Sequence, residues 1–183
     1  MIIETIFSTL DEAGTPNFAP MGIEWGEEFV VVRPFRSSQT CRNLLARGCG
    51  VANLSDNVLA FVESALYDKT LPSFPAKTIP GAVYRDTCGW IELKVVTNGG
   101  SEERAELKCR ILHHGRQKDF LGFCRAGNAV IEATILATRL SFYGKNKVLE
   151  SLNQYMRVVE KTGSEIEKQA FKMLYDFVNK QGE

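Results

Sequence analysis

The stretch "CGWIELKVVTNGGSEERAELKCRILHH", Cys88 to His114, decides the fold. Two strand-like runs, Cys88 to Thr97 and Glu103 to His114, flank Asn98-Gly99-Gly100-Ser101, whose residues suit a tight hairpin turn. In the second run Ala105, Leu107, Cys109, Ile111 and His113 alternate with Glu106, Lys108, Arg110 and Leu112. A period of two sends the first set to one face and the second to the other, so one face meets a core and the other water.

Toward the N-terminus the same grammar repeats. Glu4 to Leu10 and Asn17 to Trp25 read as strands joined by the turn Asp11-Glu12-Ala13-Gly14-Thr15-Pro16, with Gly14 available for positive φ. Gly26-Glu27-Glu28 turns the chain into a third strand, Phe29 to Phe35, whose continuous apolar run predicts burial on both faces. Ser37 to Ala46 is helical, with Ser37 or Ser38 as N-cap. Gly50 to Leu54 is a short strand, and Asn57 to Tyr67 a short helix capped by Ser55 or Asp56. Pro72, Pro75 and Pro80 make Leu71 to Gly81 a loop of restricted shape.

After Gly122 the character changes. Ala126 to Leu140 predicts a helix with Val130, Ile131, Ile135 and Leu136 on its apolar stripe. Lys145 to Thr162 and Ser164 to Asn179 follow, separated by Gly163, and Ser164 with Glu167 spells a capping box. Val148, Leu152, Tyr155 and Val159 stripe the first of these; Ile166, Ala170, Phe171, Leu174, Phe177 and Val178 stripe the second. A front of about six or seven strands with a helical rear predicts an α+β fold built on a closed or split antiparallel β-barrel, not a parallel doubly wound sheet. The expected division is 1–122 for the barrel and 123–183 for a helical C-terminal portion packed on the same unit.

Composition narrows the function. The 183 residues are 44% hydrophobic and 24% charged, with a formal net charge of zero. That argues against bulk nucleic-acid or anionic-membrane binding. No apolar run approaches membrane-spanning length, and Met1-Ile2-Ile3-Glu4-Thr5 lacks the basic-then-apolar order of a signal peptide. Cys41, Cys49, Cys88, Cys109 and Cys124 are scattered without a CxxC and read as reduced thiols, so the expected compartment is the cytoplasm. There is no GxGxxG, P-loop, GxSxG, HExxH or metal-ligand spacing. His113 and His114 are adjacent, so on a strand they face opposite ways and cannot serve one site. No metal is expected and no catalytic residue is assigned.

One stretch carries chemistry: "VVVRPFRSSQTCRNLL", Val30 to Leu45. Phosphate recognition needs convergent donors without a competing negative charge. Arginine supplies a planar fork, hydroxyls supply adaptable donors, and a helix N-terminus supplies unpaired N–H groups and a positive dipole end. Arg33, Arg36, Ser37, Ser38 and Thr40 lie together here, and no Asp or Glu occurs between Phe29 and Asp56. Two readings stand: an anion site, or a capped helix with solvated arginines.

Three features resemble a known family. They are Asn17-Phe18-Ala19-Pro20-Met21-Gly22 after a hairpin, the run Ser38-Gln39-Thr40-Cys41-Arg42-Asn43-Leu44 at a strand-to-helix turn, and the returning strand Gly50-Val51-Ala52-Asn53-Leu54. Together they resemble the FMN-binding split-barrel superfamily, which holds flavin reductases and pyridoxamine-phosphate-oxidase relatives. With "CRAGNAVIEATILATRL" (Cys124 to Leu140) and the helical tail, nearly the whole chain is similar to the prokaryotic family named domain of unknown function 447.

The resemblance implies a homodimer with FMN near the subunit interface. It matches Ser38, Thr40 and Asn43 to a phosphate-facing S-x-T-x-x-N pattern, with Arg33, Ser37 and Gln39 as neighbours. It sets Pro20, Met21 and Gly22 against the isoalloxazine ring. Arg125 is either a contribution from the second subunit or a helix-start arginine on the dimer surface. The implied activity is a flavin-dependent oxidoreductase of flavin-reductase type, with NAD(P)H or another small-molecule electron donor and an unassigned substrate. The alternatives are a non-enzymatic flavin carrier or sensor, and a binder of another phosphate ligand such as pyridoxal phosphate on the same fold.

Overall fold

The computed structural model describes residues 1–181. The chain begins with β1 (Ile2–Leu10), β2 (Pro16–Glu24) and β3 (Phe29–Val32), then α1 (Gln39–Arg47), β4 (Cys49–Leu54) and α2 (Val58–Leu66). Next come β5 (Ser73–Pro75), β6 (Ala82–Tyr84), β7 (Gly89–Gly100) and β8 (Ala105–Arg116). Four helices close it: α3 (Arg125–Thr138), α4 (Leu140–Tyr143), α5 (Lys145–Thr162) and α6 (Glu165–Lys180). Six of the eight strands form a closed antiparallel barrel in the order β1-β2-β3-β8-β7-β4. This is the expected α+β fold.

Two compact units result. One holds Met1–Ser55 and Asp68–Asp119; the other holds Asp56–Tyr67 and Phe120–Glu183. In the second unit α2 packs against α3 and α6.

Within the first unit, alternation builds the core. Ala105, Leu107 and Cys109 point inward and are fully buried, joined by Phe7, Ile23, Val30, Val32, Ile91 and Leu93. α1 covers this core with Cys41 and Leu44. Gly50 is required by Phe7: a Cβ there would lie 2.6 Å from the ring's Cε1. Gly14 takes φ +86° in the β1–β2 turn, as its place in the sequence predicts.

Several expectations need correction. β3 is buried on one face only: Val30 and Val32 are fully buried, while Phe29 and Val31 face outward and stay partly exposed. Phe29 is sheltered by cations, with Lys108 Nζ 4.3 Å and Arg110 Cζ 5.2 Å from its ring centroid. Pairing ends at Val32, and Phe35 retains only an isolated bridge to Arg104. The β7–β8 hairpin carries Asn98, Gly99 and Gly100 inside the ladder, so the turn lies at Ser101–Arg104. The proline-rich loop contains a strand, because Ser73, Phe74 and Pro75 pair with Tyr84, Val83 and Ala82.

The second unit is a helix cluster. α2 is capped by Asn57, whose Oδ1 accepts from the Leu59 and Ala60 amides, rather than by Ser55 or Asp56. α3 buries Ala126, Gly127, Ala129, Val130, Ala133, Thr134 and Ala137, a small-residue face; Ile131, Ile135 and Leu136 flank it, half-buried. Small side chains let the α3 backbone approach α5, which buries Val148, Leu152 and Val159. Ser164 and Glu167 form the expected capping box, and α6 buries Ala170, Phe171, Leu174 and Val178.

Candidate functional site

The seam between β2 and β3 splits the barrel. β2 pairs with β1 along all 9 of its residues, Leu10↔Pro16 to Ile2↔Glu24. It meets β3 only at Ile23↔Val32 and Glu24↔Val31. From Pro16 to Gly22 its second edge carries no ladder, so backbone N–H and C=O groups of alternate residues point off the sheet. Pro20, Met21 and Gly22 lie on this open edge, the first two half-buried and Gly22 exposed. The Thr5 hydroxyl donates to the Met21 carbonyl at 2.9 Å. A Cβ on Gly22 would lie 2.9 Å from Ile2 Cγ2 and 3.0 Å from Glu4 Oε1, so a larger residue would have to displace those β1 side chains.

α1 starts beside the open edge. Ser38 is its N-cap: Oγ accepts from the Cys41 amide at 3.1 Å and donates to the Phe35 carbonyl at 2.7 Å. The first turn carries no acidic residue, which suits an anion at the dipole's positive end. Thr40 and Asn43, 3% and 4% exposed, face inward together. Asn17 Nδ2 on β2 donates to Thr40 Oγ1 at 3.1 Å. Asn43 Nδ2 donates to Thr9 Oγ1 at 2.9 Å, and Asn43 Oδ1 accepts from Gln39 Nε2 at 2.6 Å. Thr9 and Asn17 face each other across the β1–β2 ladder, so this polar network spans β1, β2 and α1. Among the described residues no buried side-chain nitrogen or oxygen is left unpartnered.

The arginines of the quoted stretch go elsewhere. Arg33 donates from Nη1 to Glu24 at 2.8 Å and from Nε to Glu106 at 2.9 Å, which raises its pKa and lowers that of Glu24. These carboxylates come from β2 and β8, which a scan between Phe29 and Asp56 cannot see. Arg36 donates to the carbonyls of Ser101 at 2.7 Å and Gly99 at 3.0 Å and braces the hairpin. Arg42 folds back onto the Ser37 carbonyl and Gln39 Oε1. Ser37 is exposed, its carbonyl holding Arg42. Arg125 opens α3 in the helical unit and is exposed. Burial raises the pKa of the Cys41 thiol against the lowering pull of Arg36 and Arg42, so it stays protonated at neutral pH.

Sequence reasoning gave no role to Asn17, Thr9 or the loop Asp68–Thr70. A hollow of about 200 Å³ lies beside α1, lined by Asp11, Thr15, Pro16, Asn17, Phe18, Gln39, Asp68, Lys69 and Thr70. Asn17 was within reach, since it opens the strand that carries the resemblance. The loop was not, because nothing local ties residue 69 to residue 39. Among the described residues no group of three or more His, Cys, Asp and Glu side chains could hold a metal.

An acid-free helix start suits an anion, and an unpaired strand edge offers backbone groups to a planar polar ring. An FMN-bound DUF447 protein from Methanosarcina mazei superposes with a TM-score of 0.84 at 29% identity, over 96% of this chain and 94% of that one. A flavoredoxin from Methanosarcina acetivorans shares the fold, with TM-score 0.57 and 12% identity over 66% of this chain and 72% of its own. So does an NADH:FAD oxidoreductase from Streptomyces globisporus, solved with NAD and FAD fragments, with TM-score 0.55 and 9% identity over 62% of this chain and 74% of its own. The model for the N-terminal domain of the protein of unknown function DUF447 matches residues 3–118, and a second DUF447 model matches 124–176. The chain belongs to the DUF447 family.

Proposed function

We propose that this protein binds FMN and works as a flavin-dependent oxidoreductase of flavin-reductase type. The observation that carries the reading is the open β2 edge, Pro16 to Gly22, beside the acid-free start of α1, in a chain 29% identical to an FMN-bound relative. Pro20, Met21 and Gly22 offer backbone groups to the ring, and Gly22 presents no side chain to obstruct it. Ser38, Thr40, Asn43 and Gln39 stand around the phosphate end, with Ser37 at its rim. The amide and hydroxyl network fixes their rotamers through Asn17 and Thr9, so little side-chain entropy is lost on binding. Hydride or electron transfer is supplied by the flavin itself when bound. The chain's own residues hold and orient it and keep one ring face clear. No side-chain acid or base is required, and none is assigned.

The reading extends to a homodimer. Phe120, Leu121 and Phe123 are 54%, 92% and 91% exposed in the segment before α3. Apolar surface of that kind is what a second subunit covers, and in this reading the exposed Arg125 nearby in the sequence serves the partner copy. NADH or NADPH is the proposed electron donor. No described helix is long and apolar enough to cross a membrane, in keeping with a cytoplasmic setting.

The test is direct. Purified protein should take up FMN stoichiometrically, and mass spectrometry of the released small molecule should return FMN. Steady-state oxidation of NADH or NADPH should then depend on added protein and flavin. FMN binding without turnover favours a carrier or sensor; release of pyridoxal phosphate instead removes the flavin reading.

A further inference from the structure

Arg36 stands two residues before the cap of α1, yet its guanidinium is bonded to the β7–β8 hairpin. Nε donates to the Ser101 carbonyl at 2.7 Å and Nη2 to the Gly99 carbonyl at 3.0 Å. The backbone doubles the link. The Arg36 amide donates to the Glu103 carbonyl at 2.9 Å, and the Ala105 amide donates to the Pro34 carbonyl at 3.1 Å. Between these bonds Phe35 bridges Arg104, whose guanidinium carbon lies 3.8 Å from the Phe35 ring centroid. Pro34, Phe35 and Arg36 are therefore fastened to the hairpin by backbone and side chain, although β3 itself ends at Val32.

The hairpin tip is closed on itself. The Ser101 amide donates to the Arg104 carbonyl at 2.9 Å, and the Arg104 amide donates to Ser101 Oγ at 3.1 Å. Gly100 takes φ +100°, and a Cβ there would run into the Arg104 carbonyl oxygen.

The fastened segment leads straight into the helix cap. The Phe35 carbonyl accepts from the Ser38 amide at 3.0 Å and from Ser38 Oγ at 2.7 Å. Ser38 Oγ in turn accepts from the Cys41 amide at 3.1 Å. One chain of bonds thus runs from the hairpin carbonyls through Phe35 to the first turn of α1. A fixed Phe35 carbonyl fixes the Ser38 hydroxyl, and with it the start of the helix whose unpaired amides face an anion.

Resting on the FMN reading, we propose that the β7–β8 hairpin clamps the phosphate-facing turn, with Arg36 as its positioning residue. Arg36 acts through the Phe35 carbonyl and Ser38, not by contact with the phosphate. Donors already held in place lose little freedom on binding, so a loosened clamp weakens the hold on a phosphorylated flavin. The ring contacts offered by β2 do not depend on it.

Two measurements on the full chain test this. The first needs no ligand. In amide exchange of the flavin-free protein, Arg36→Ala should speed exchange at Ser38 and Cys41 by at least about fivefold and leave Ile166, at the cap of α6, unchanged. The second is titration with FMN and, separately, with riboflavin. Coupling between linked sites is typically about 5- to 150-fold, so Arg36→Ala should weaken FMN binding by at least about fivefold and leave riboflavin within about twofold. Gly100→Ala disturbs the hairpin tip and leaves 36–43 unaltered in sequence; it should reproduce both effects. Unchanged exchange in Arg36→Ala overturns the clamp, and an Arg36→Ala effect that Gly100→Ala does not share overturns the part of the hairpin. Faster exchange with unaltered FMN affinity overturns the link to the phosphate, as does an equal loss for both flavins or a wild type that binds both equally. A wild type that binds neither flavin takes down the FMN reading, while the exchange measurement still decides the clamp.

Discussion

Asn17 Nδ2 donates to Thr40 Oγ1 at 3.1 Å, and this single bond ties the open edge of β2 to the first turn of α1. Thr40 is 3% exposed, so its hydroxyl is held in one orientation. Thr40→Val keeps the shape and removes the acceptor, leaving the Asn17 amide without a partner. The expected cost to folding is about 1–3 kcal/mol. If Thr40 faces the phosphate as proposed, FMN affinity should fall by about tenfold or more as well. Thermal melting and flavin titration check the two effects separately. A variant that loses neither shows that the network does not position the site.

Glu92 makes the second prediction. It is fully buried, yet it accepts from the Lys77 amide at 2.7 Å, the Thr78 amide and hydroxyl at 2.6 Å each, and Trp90 Nε1 at 3.1 Å. Burial by itself raises the carboxyl pKa, but these donors outweigh it and hold it below the ordinary value of 4.5. The sign follows: a depressed folded-state pKa gives stability that is present above the unfolded value and is lost as pH falls through the folded one. Glu92→Gln should cost about 2–4 kcal/mol at pH 7. The gap to wild type should narrow in melts run below pH 4.5. The variant should also open the segment 76–81, read as faster amide exchange at Lys77 and Thr78.

These contacts mark where the sequence was legible. Local rules placed Gly14 in its turn, Ser38 or its neighbour at the start of α1, and Ser164 with Glu167 at the start of α6, since each depends on residues within a few positions. The period-two pattern of β8 survived intact. What escaped were partnerships across the chain. Pro75 entered a strand because β6 pairs with it. Arg33 looked free because Glu24 and Glu106 are brought to it by neighbouring strands. α2 packs with helices more than 50 residues later because its Val58 and Val62 face is completed there. Ser38, Gln39, Thr40 and Asn43 could be named from the sequence; the bonds that tie them to Thr9 and Asn17 could not, since these follow from register between β1, β2 and α1.

The cysteines carry the last prediction. All five lie outside any disulfide, and four of them, Cys41, Cys49, Cys88 and Cys109, are buried. Burial pushes the Cys109 thiol up to about 12, far above any working pH. Cys41 and Cys49 are raised by burial too, though nearby cations pull the other way. Thiolate is the species that reacts with alkylating reagents, so these sites resist twice, by access and by protonation. Cys124, the cap residue of α3, is only half-buried. Native protein treated with iodoacetamide at pH 8 should therefore label first at Cys124, with Cys109 modified only after denaturation. Peptide mapping by mass spectrometry reads the order. Rapid native labelling of Cys109 would contradict the closed barrel interior, since its side chain sits among Val30, Leu107 and Leu93 in that core.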